Sequence, residues 1–189
     1  MGRPPKPETT LERPVHETAE ESLKNIDTAC AHGCKKNSHG NTQFWIGYKL
    51  HLDVSDTGFP LSALVSGANV HDIQLAIPLE KMTESKVCFC YSLMDAAYDA
   101  TVIDSFIRSR ERVPIIDPNN RGDKSRPPLD SAKKERYKMR TKVARANSIL
   151  KDWLLPVKLY VKGHTKVSFV LFSAVVCLAA LRTLQYFIL

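Results

Sequence analysis

The chain has 189 residues, with 27 Lys/Arg against 20 Asp/Glu, a net charge of +7 and a pI near 9.2. This is the length of one domain, or one domain with an appended tail, with room for a core, and 43% hydrophobic with 25% charged residues is ordinary for a soluble globular protein. The positive excess favours a polyanionic partner, nucleic acid or an anionic membrane surface, over an acidic protein or a neutral small molecule.

Five cysteines, an odd number, behind an N-terminus (MGRPPKPETT) with no apolar signal core fit a reduced cytoplasmic protein rather than a disulfide scaffold. Residues 1–24 are rich in Pro, Glu, Lys and Thr without apolar periodicity, and read as linker or disorder. Within them Gly2-Arg3-Pro4 has the form of a minor-groove hook; a solvated linker is the plainer reading.

Residues 25–40 read as a short strand entering a polar, basic turn that carries Lys35 and Lys36. Cys30, His32, Cys34 and His39 are zinc-type ligands, but C-x-H-x-C is not a closed-site spacing. Cys88 and Cys90 alternate on an apolar run and are expected in the core. QFWIGYKLHLDV (43–54) alternates like a half-buried strand, Ser55 to Gly58 is a turn, and Pro60 to Ala68 is a second strand, so the pair forms a hairpin.

Asn69 to Asp72 opens a helix running to about Met82, with Leu75, Ile77 and Leu79 inward and Pro78 as a kink or a boundary. Val87 to Leu93 is a continuous apolar run, the mark of a central strand covered on both faces. A helix follows with Ile103, Phe106 and Ile107 inward, then a strand, Val113 to Ile116, and a polar basic loop, Asp117 to Pro128. Val167 to Leu181 reads as a buried terminal helix: fifteen residues ending at Arg182 are short of the roughly 20 that span a bilayer, so no membrane partner is expected.

The stretch Leu129 to Leu154 reads as one amphipathic helix with Asp130 or Ser131 as N-cap. At about 100° per residue, Tyr137, Arg140, Ala144 and Lys151 share one face within roughly 60°. Arg108 to Lys151 holds fourteen Lys/Arg against five Asp/Glu. Such a run is often only a solvated face; Tyr137 among Arg136, Arg140 and Arg145 favours contact with a phosphate backbone.

The spacing Tyr137-x2-Arg140-x3-Ala144-x6-Lys151 resembles the signature helix of insertion-sequence transposases with a DDE (Asp-Asp-Glu) triad, in which position 144 would be the catalytic Glu. LMDAAYDA resembles the family's second-Asp motif, which implies that Asp95, at the end of the most apolar run, is the second aspartate. GYKLHLDV, with Lys49 and His51, and SGANVHDIQLAIPL, with His71 and Asp72, match further segments; His71-Asp72 is also a plain helix cap. The family's first Asp precedes a Gly-x-Lys-x-Asn-Ser-x-Gly segment matched by Gly33 to Gly40. Ala31-His32 stand there instead, and the nearest carboxylate, Asp27, is roughly 13 Å early along a strand.

The resemblance implies a ribonuclease H-like α/β fold, a mixed sheet flanked by helices, over residues 25–189. It implies that Asp95 and Asp27 ligate Mg²⁺, that Lys35, Lys36, Lys49, Tyr137, Arg140, Arg145 and Lys151 contact double-stranded DNA, and that copies can pair as a homo-oligomer. It also implies transposase-type cleavage and joining at insertion-sequence ends, in the cytoplasm at the nucleoid. With Ala144 at the Glu position and no helical region ahead of residue 25, an N-terminally truncated and catalytically impaired copy is expected. The alternative is a non-enzymatic DNA-binding protein that occupies transposon ends or modulates intact transposase.

Overall fold

The computed structural model describes residues 9–36, 40–119 and 128–187. Gly2-Arg3-Pro4, His39 and most of the basic loop before Pro128 lie outside these. The chain divides into two compact units, Met1–Ile26 with Asp72–Pro128 and Asp27–His71 with Leu129–Leu189. Both are mixtures of helix and strand, and the fold class is α/β.

The first unit begins with two short helices, α1 (Arg13–His16) and α2 (Ala19–Lys24). The expectation of linker or disorder over residues 1–24 therefore fails for these residues, for a local reason. Thr18-x-x-Glu21 is a capping box: the Thr18 hydroxyl accepts from the Glu21 amide at 3.2 Å, and the Thr18 amide donates to the Glu21 carboxylate at 2.8 Å. Leu11 and Val15 supply the apolar contacts that hold the segment to the core.

That core gathers Ala76 and Ile77 from α3 (Ala76–Glu84) with Ile103, Phe106 and Ile107 from α4 (Thr101–Ser109). A 3-10 turn, Asp72–Leu75, leads into α3, so Pro78 falls in the first helical turn, where its missing N–H is no loss. The Lys81 ammonium is buried and donates to the carbonyls of Pro14 (2.6 Å), Val15 (3.2 Å) and Glu17, tying α1 to α3. Burial above all, and the Arg110 charge next, push its pKa down.

Among the described residues five strands form two sheets, one in each unit. In the first unit β4 (Tyr91–Met94) pairs in parallel with β5 (Val113–Ile116). The run Val87 to Leu93 is thus not a covered central strand: only its last residues join a ladder, Tyr91 is exposed, and so are Cys88 and Cys90. An apolar run reports two-sided cover only if the strand is flanked on both sides, and among the described residues the ladder of β4 is to β5.

In the second unit β1 (Ala31–Lys36), β2 (Thr42–Val54) and β3 (Pro60–Gly67) make an antiparallel sheet in that order. The β2–β3 turn closes as expected, with Gly58 at φ +82° donating its amide to the Ser55 carbonyl at 2.9 Å. Gly33 sits where a Cβ would come within 2.5 Å of the Trp45 ring, so only glycine lets β1 pass that close to β2.

The stretch expected as one helix changes type along its length. It comprises α5 (Ser131–Tyr137), a 3-10 turn (Lys138–Arg140), α6 (Thr141–Ile149) and a π turn (Leu150–Leu154) closed by the Leu155 amide on the Leu150 carbonyl at 2.8 Å. α7 (His164–Phe187) follows and is 24 residues long, not fifteen. By length and composition it could cross a membrane, though its buried face packs in the fold. Ala146 and Leu150 meet Ala174 and Leu178 of α7 over Leu50, Leu52 and Val54 of β2. Val65, Val167 and Leu171 form a second cluster beside it.

Candidate functional site

The first unit presents carboxylates at one end of its sheet. β4 is short and apolar and ends at Met94, so Asp95 emerges at the carboxyl end of a parallel strand, where functional groups of α/β sheets collect. It caps the 3-10 turn Ala96–Tyr98, its Oδ1 accepting from the Ala97 amide at 3.0 Å, and it stays half-buried. The register Met94↔Ile116 brings Asp117 alongside, its amide donating to the Met94 carbonyl at 3.2 Å. Asp99 accepts the Asn119 amide at 2.9 Å and pins the segment after β5 to the turn after β4. Sequence reasoning passed over Asp117 and Asp99. The signal was present: two parallel strands both end in Asp, Met94-Asp95 and Ile116-Asp117.

In the second unit Asp27 precedes β1. Its Oδ1 accepts from the Ala29 amide at 2.8 Å, its Oδ2 accepts from the Asn69 amide group at 3.1 Å, and its carbonyl accepts from the Gly67 amide at 2.8 Å. The Ala29 N–H first, then Asn69, hold the Asp27 carboxyl below the ordinary carboxylate range. This is the geometry of a turn anchor.

The residues present do not fit a Mg²⁺ site in full. Both Asp27 oxygens are engaged within the fold, and Ala144, which the motif resemblance puts at the Glu position, carries no side-chain oxygen for a hard cation. No group of three or more His, Cys, Asp or Glu suited to a metal occurs among the described residues. Cys30, His32 and Cys34, weighed above for zinc, are exposed.

The basic helical segment is the other candidate surface. Asp130 caps it, accepting from the Lys133 amide at 2.8 Å, which also lowers the Asp130 pKa. Between Ser131 and Leu154 there are eight Lys/Arg and two acids. Glu135 is paired with Lys138 at 2.6 Å and Asp152 accepts from Ser148 at 2.5 Å. The 3-10 turn has three residues per turn, which stacks position i+3 over i; the Arg140 guanidinium accordingly lies 5.9 Å from the centre of the half-buried Tyr137 ring. Arg140, Ala144, Arg145 and Lys151 are exposed, whereas Ala146 and Leu150 are buried.

The remaining expected contacts divide. Lys35 is exposed on β1, and Lys36 ends that strand. Lys49 turns inward and donates to the Val70 carbonyl at 2.8 Å. His51 is buried with its Nε2 2.9 Å from the Ser66 hydroxyl, so Lys49 and His51 of GYKLHLDV both make contacts within the fold of their own unit. His71 and Asp72 are exposed at the start of the 3-10 turn before α3.

Comparison with known proteins bears on the whole arrangement. No curated protein and no solved structure gives a significant match. A family model described as transposase DDE domain matches residues 15–175, from α1 into α7. That span takes in Asp95, the basic helical segment and both sheets, and with it the chain belongs to the transposase DDE domain family.

Proposed function

We propose that this chain binds double-stranded DNA as the DDE domain of an insertion-sequence transposase, and that its cleavage and joining chemistry is impaired. Membership of the family makes a transposition-related role the starting point. The observation that carries the DNA-binding reading is the exposed basic face of residues 131–154, where Arg140 over Tyr137, Arg145 and Lys151 stand clear of the buried Ala146 and Leu150. Guanidinium and ammonium groups there would pair with backbone phosphates. Such contacts set position on the duplex and carry no base information.

Asp95 is the inherited carboxylate in this proposal, and Asp27, held in its own turn by the Ala29 and Asn69 amides, is left out of the donor set. DDE transposases generally use a divalent metal, typically Mg²⁺. With Ala144 in the Glu position of the motif, the donor set lacks that carboxylate as well, which favours occupancy of transposon ends over cutting. A ribonuclease H-like arrangement, pairing of copies on DNA and residence at the nucleoid belong to the same proposal.

The test is binding of the full chain to labelled duplex DNA across a salt series, with a parallel nicking assay in Mg²⁺ and Mn²⁺. Salt-dependent binding without nicking is the expected result. Absence of binding at low salt removes the reading, and efficient nicking removes the impairment.

A further inference from the structure

We propose that Cys88 and Cys90 form a two-thiolate site for a soft monovalent cation of the Cu(I) class. The proposal rests on the first unit alone and not on the DNA-binding reading. Both thiols are free and exposed, although they lie in an apolar run, Val87 to Leu93, of the kind in which cysteine is usually buried. The backbone around them is held on both sides. The Val87 amide donates to the Thr83 carbonyl in the last turn of α3 at 3.0 Å, and the Val113 amide of β5 donates to the Cys90 carbonyl at 2.9 Å. Between the two cysteines Phe89 is half-buried, with the Arg112 guanidinium 4.1 Å from its ring centre. Exposure therefore alternates along Cys88, Phe89 and Cys90, which turns the ring into the fold and leaves both thiols together on the solvent side.

Magnitudes choose the ligand. Two residues of extended chain span about 6.6 Å, near the upper limit of roughly 6.8 Å between the Cα atoms of a disulfide. An ion between the sulfurs relaxes that demand, because two metal–sulfur bonds of about 2.3 Å set them roughly 4.6 Å apart. Soft sulfur donors select Cu(I), zinc or an iron–sulfur cluster over hard cations. Structural zinc and the clusters need further ligands, and no group of three or more His, Cys, Asp or Glu suited to a metal occurs among the described residues. Monovalent copper is satisfied by two thiolates in line.

Binding is ligand exchange: each thiol gives its proton to solvent as its sulfur bonds the ion, and no electron is transferred. Cys30 and Cys34 are the poorer pair. They stand four residues apart, roughly 13 Å along a strand, too far for one ion to join.

Titration of the full, reduced chain with Cu(I) against a chromogenic Cu(I) chelator, in the absence of oxygen, tests the proposal. Uptake of a single ion per chain is expected. Cys88→Ser and Cys90→Ser should each lower the affinity by about a hundredfold or more, since each removes one arm of a chelate. Because both thiols are exposed, these variants should melt as the wild type does. Cys30→Ser/Cys34→Ser/Cys177→Ser should bind as tightly as the wild type, and X-ray absorption at the copper edge should show a pair of sulfur neighbours without nitrogen. No uptake against the chelator, uptake that survives Cys88→Ser/Cys90→Ser, loss of uptake in the triple variant, or an ion shared between two chains would each overturn it.

Discussion

Replacing Arg112 by Met should be the most damaging single charge deletion in the first unit. The Arg112 guanidinium donates to Glu80 at 3.3 Å and pairs with Glu84 at 3.1 Å, and it lies 4.1 Å from the centre of the Phe89 ring. Its side chain is 10% exposed and that of Glu80 6%. The Ser92 hydroxyl on β4 donates to the same Glu80 oxygen at 2.5 Å, so the network ties α3 to the strand that carries Asp95. Met fills much of the Arg stem's volume but leaves the Glu80 charge in the core without the Arg112 countercharge. Breaking a buried pair this way costs about 3–5 kcal/mol, and at roughly 2–4 °C per kcal/mol for a chain of this size the melting temperature should fall by roughly 6–20 °C.

Arg110 is the control. It is 43% exposed and meets Glu84 at 3.4 Å, so Arg110→Met should cost under about 1 kcal/mol. Thermal melts followed by circular dichroism, with urea titrations beside them, measure both variants. Adding Glu80→Leu to Arg112→Met should recover much of the loss, since an apolar pair needs no countercharge. If Arg112→Met melts within 1 °C of Arg110→Met, the buried-network reasoning is wrong.

Three further outcomes are expected. Gly67→Ala puts a Cβ 2.5 Å from the Ala29 carbonyl oxygen and 2.7 Å from Asn69 Oδ1, so it should cost about 1–3 kcal/mol in urea unfolding; an unchanged midpoint would show that the Asp27 turn yields freely. Glu21, Asp27 and Asp130 all have carboxyls held below their ordinary range, by the backbone N–H of Thr18, Ala29 and Lys133 respectively. A depressed folded-state pKa gives stability that is present above the unfolded value and lost as pH falls through the folded one. Melts should therefore weaken below about pH 4.5, and Asp27→Asn should flatten that limb; identical acid limbs would contradict the assignment. Ala144→Glu, which returns a carboxylate to the Glu position of the motif, should tighten Mg²⁺ binding in a calorimetric titration, and unchanged titrations would count against that alignment.

Much of this architecture was legible because periodicity and turn chemistry are local. The hairpin β2–β3 followed from alternation around Ser55–Gly58, and α4 from Ile103, Phe106 and Ile107 on one face. The Asp130 cap was readable for the same reason. Failures came where a non-local partner decided the outcome. Cys88 and Cys90 read as core because the sequence does not reveal how many neighbours β4 has. Residues 13–24 read as linker because the Thr18–Glu21 box went unnoticed among polar residues and the Lys81 ammonium that holds α1 lies far along the chain. The carboxyl end of β4 was foreseen through Asp95, whereas Asp117 needed the register of β5 to bring it there. Lys49 looked like a DNA contact and is turned onto Val70 by the fold of its own unit.

The central claim, that the basic helical segment binds duplex DNA, is tested most directly by the salt dependence of binding measured by fluorescence anisotropy. Each phosphate contact contributes a slope of about −0.9 in log affinity against log salt. The wild-type chain should bind a random-sequence duplex with a steep negative slope, and Arg140→Ala/Arg145→Ala/Lys151→Ala should make that slope shallower by roughly 2–3 units at unchanged melting temperature. Binding whose slope and affinity are unmoved by the triple substitution, or no binding at 50 mM salt, would contradict the account.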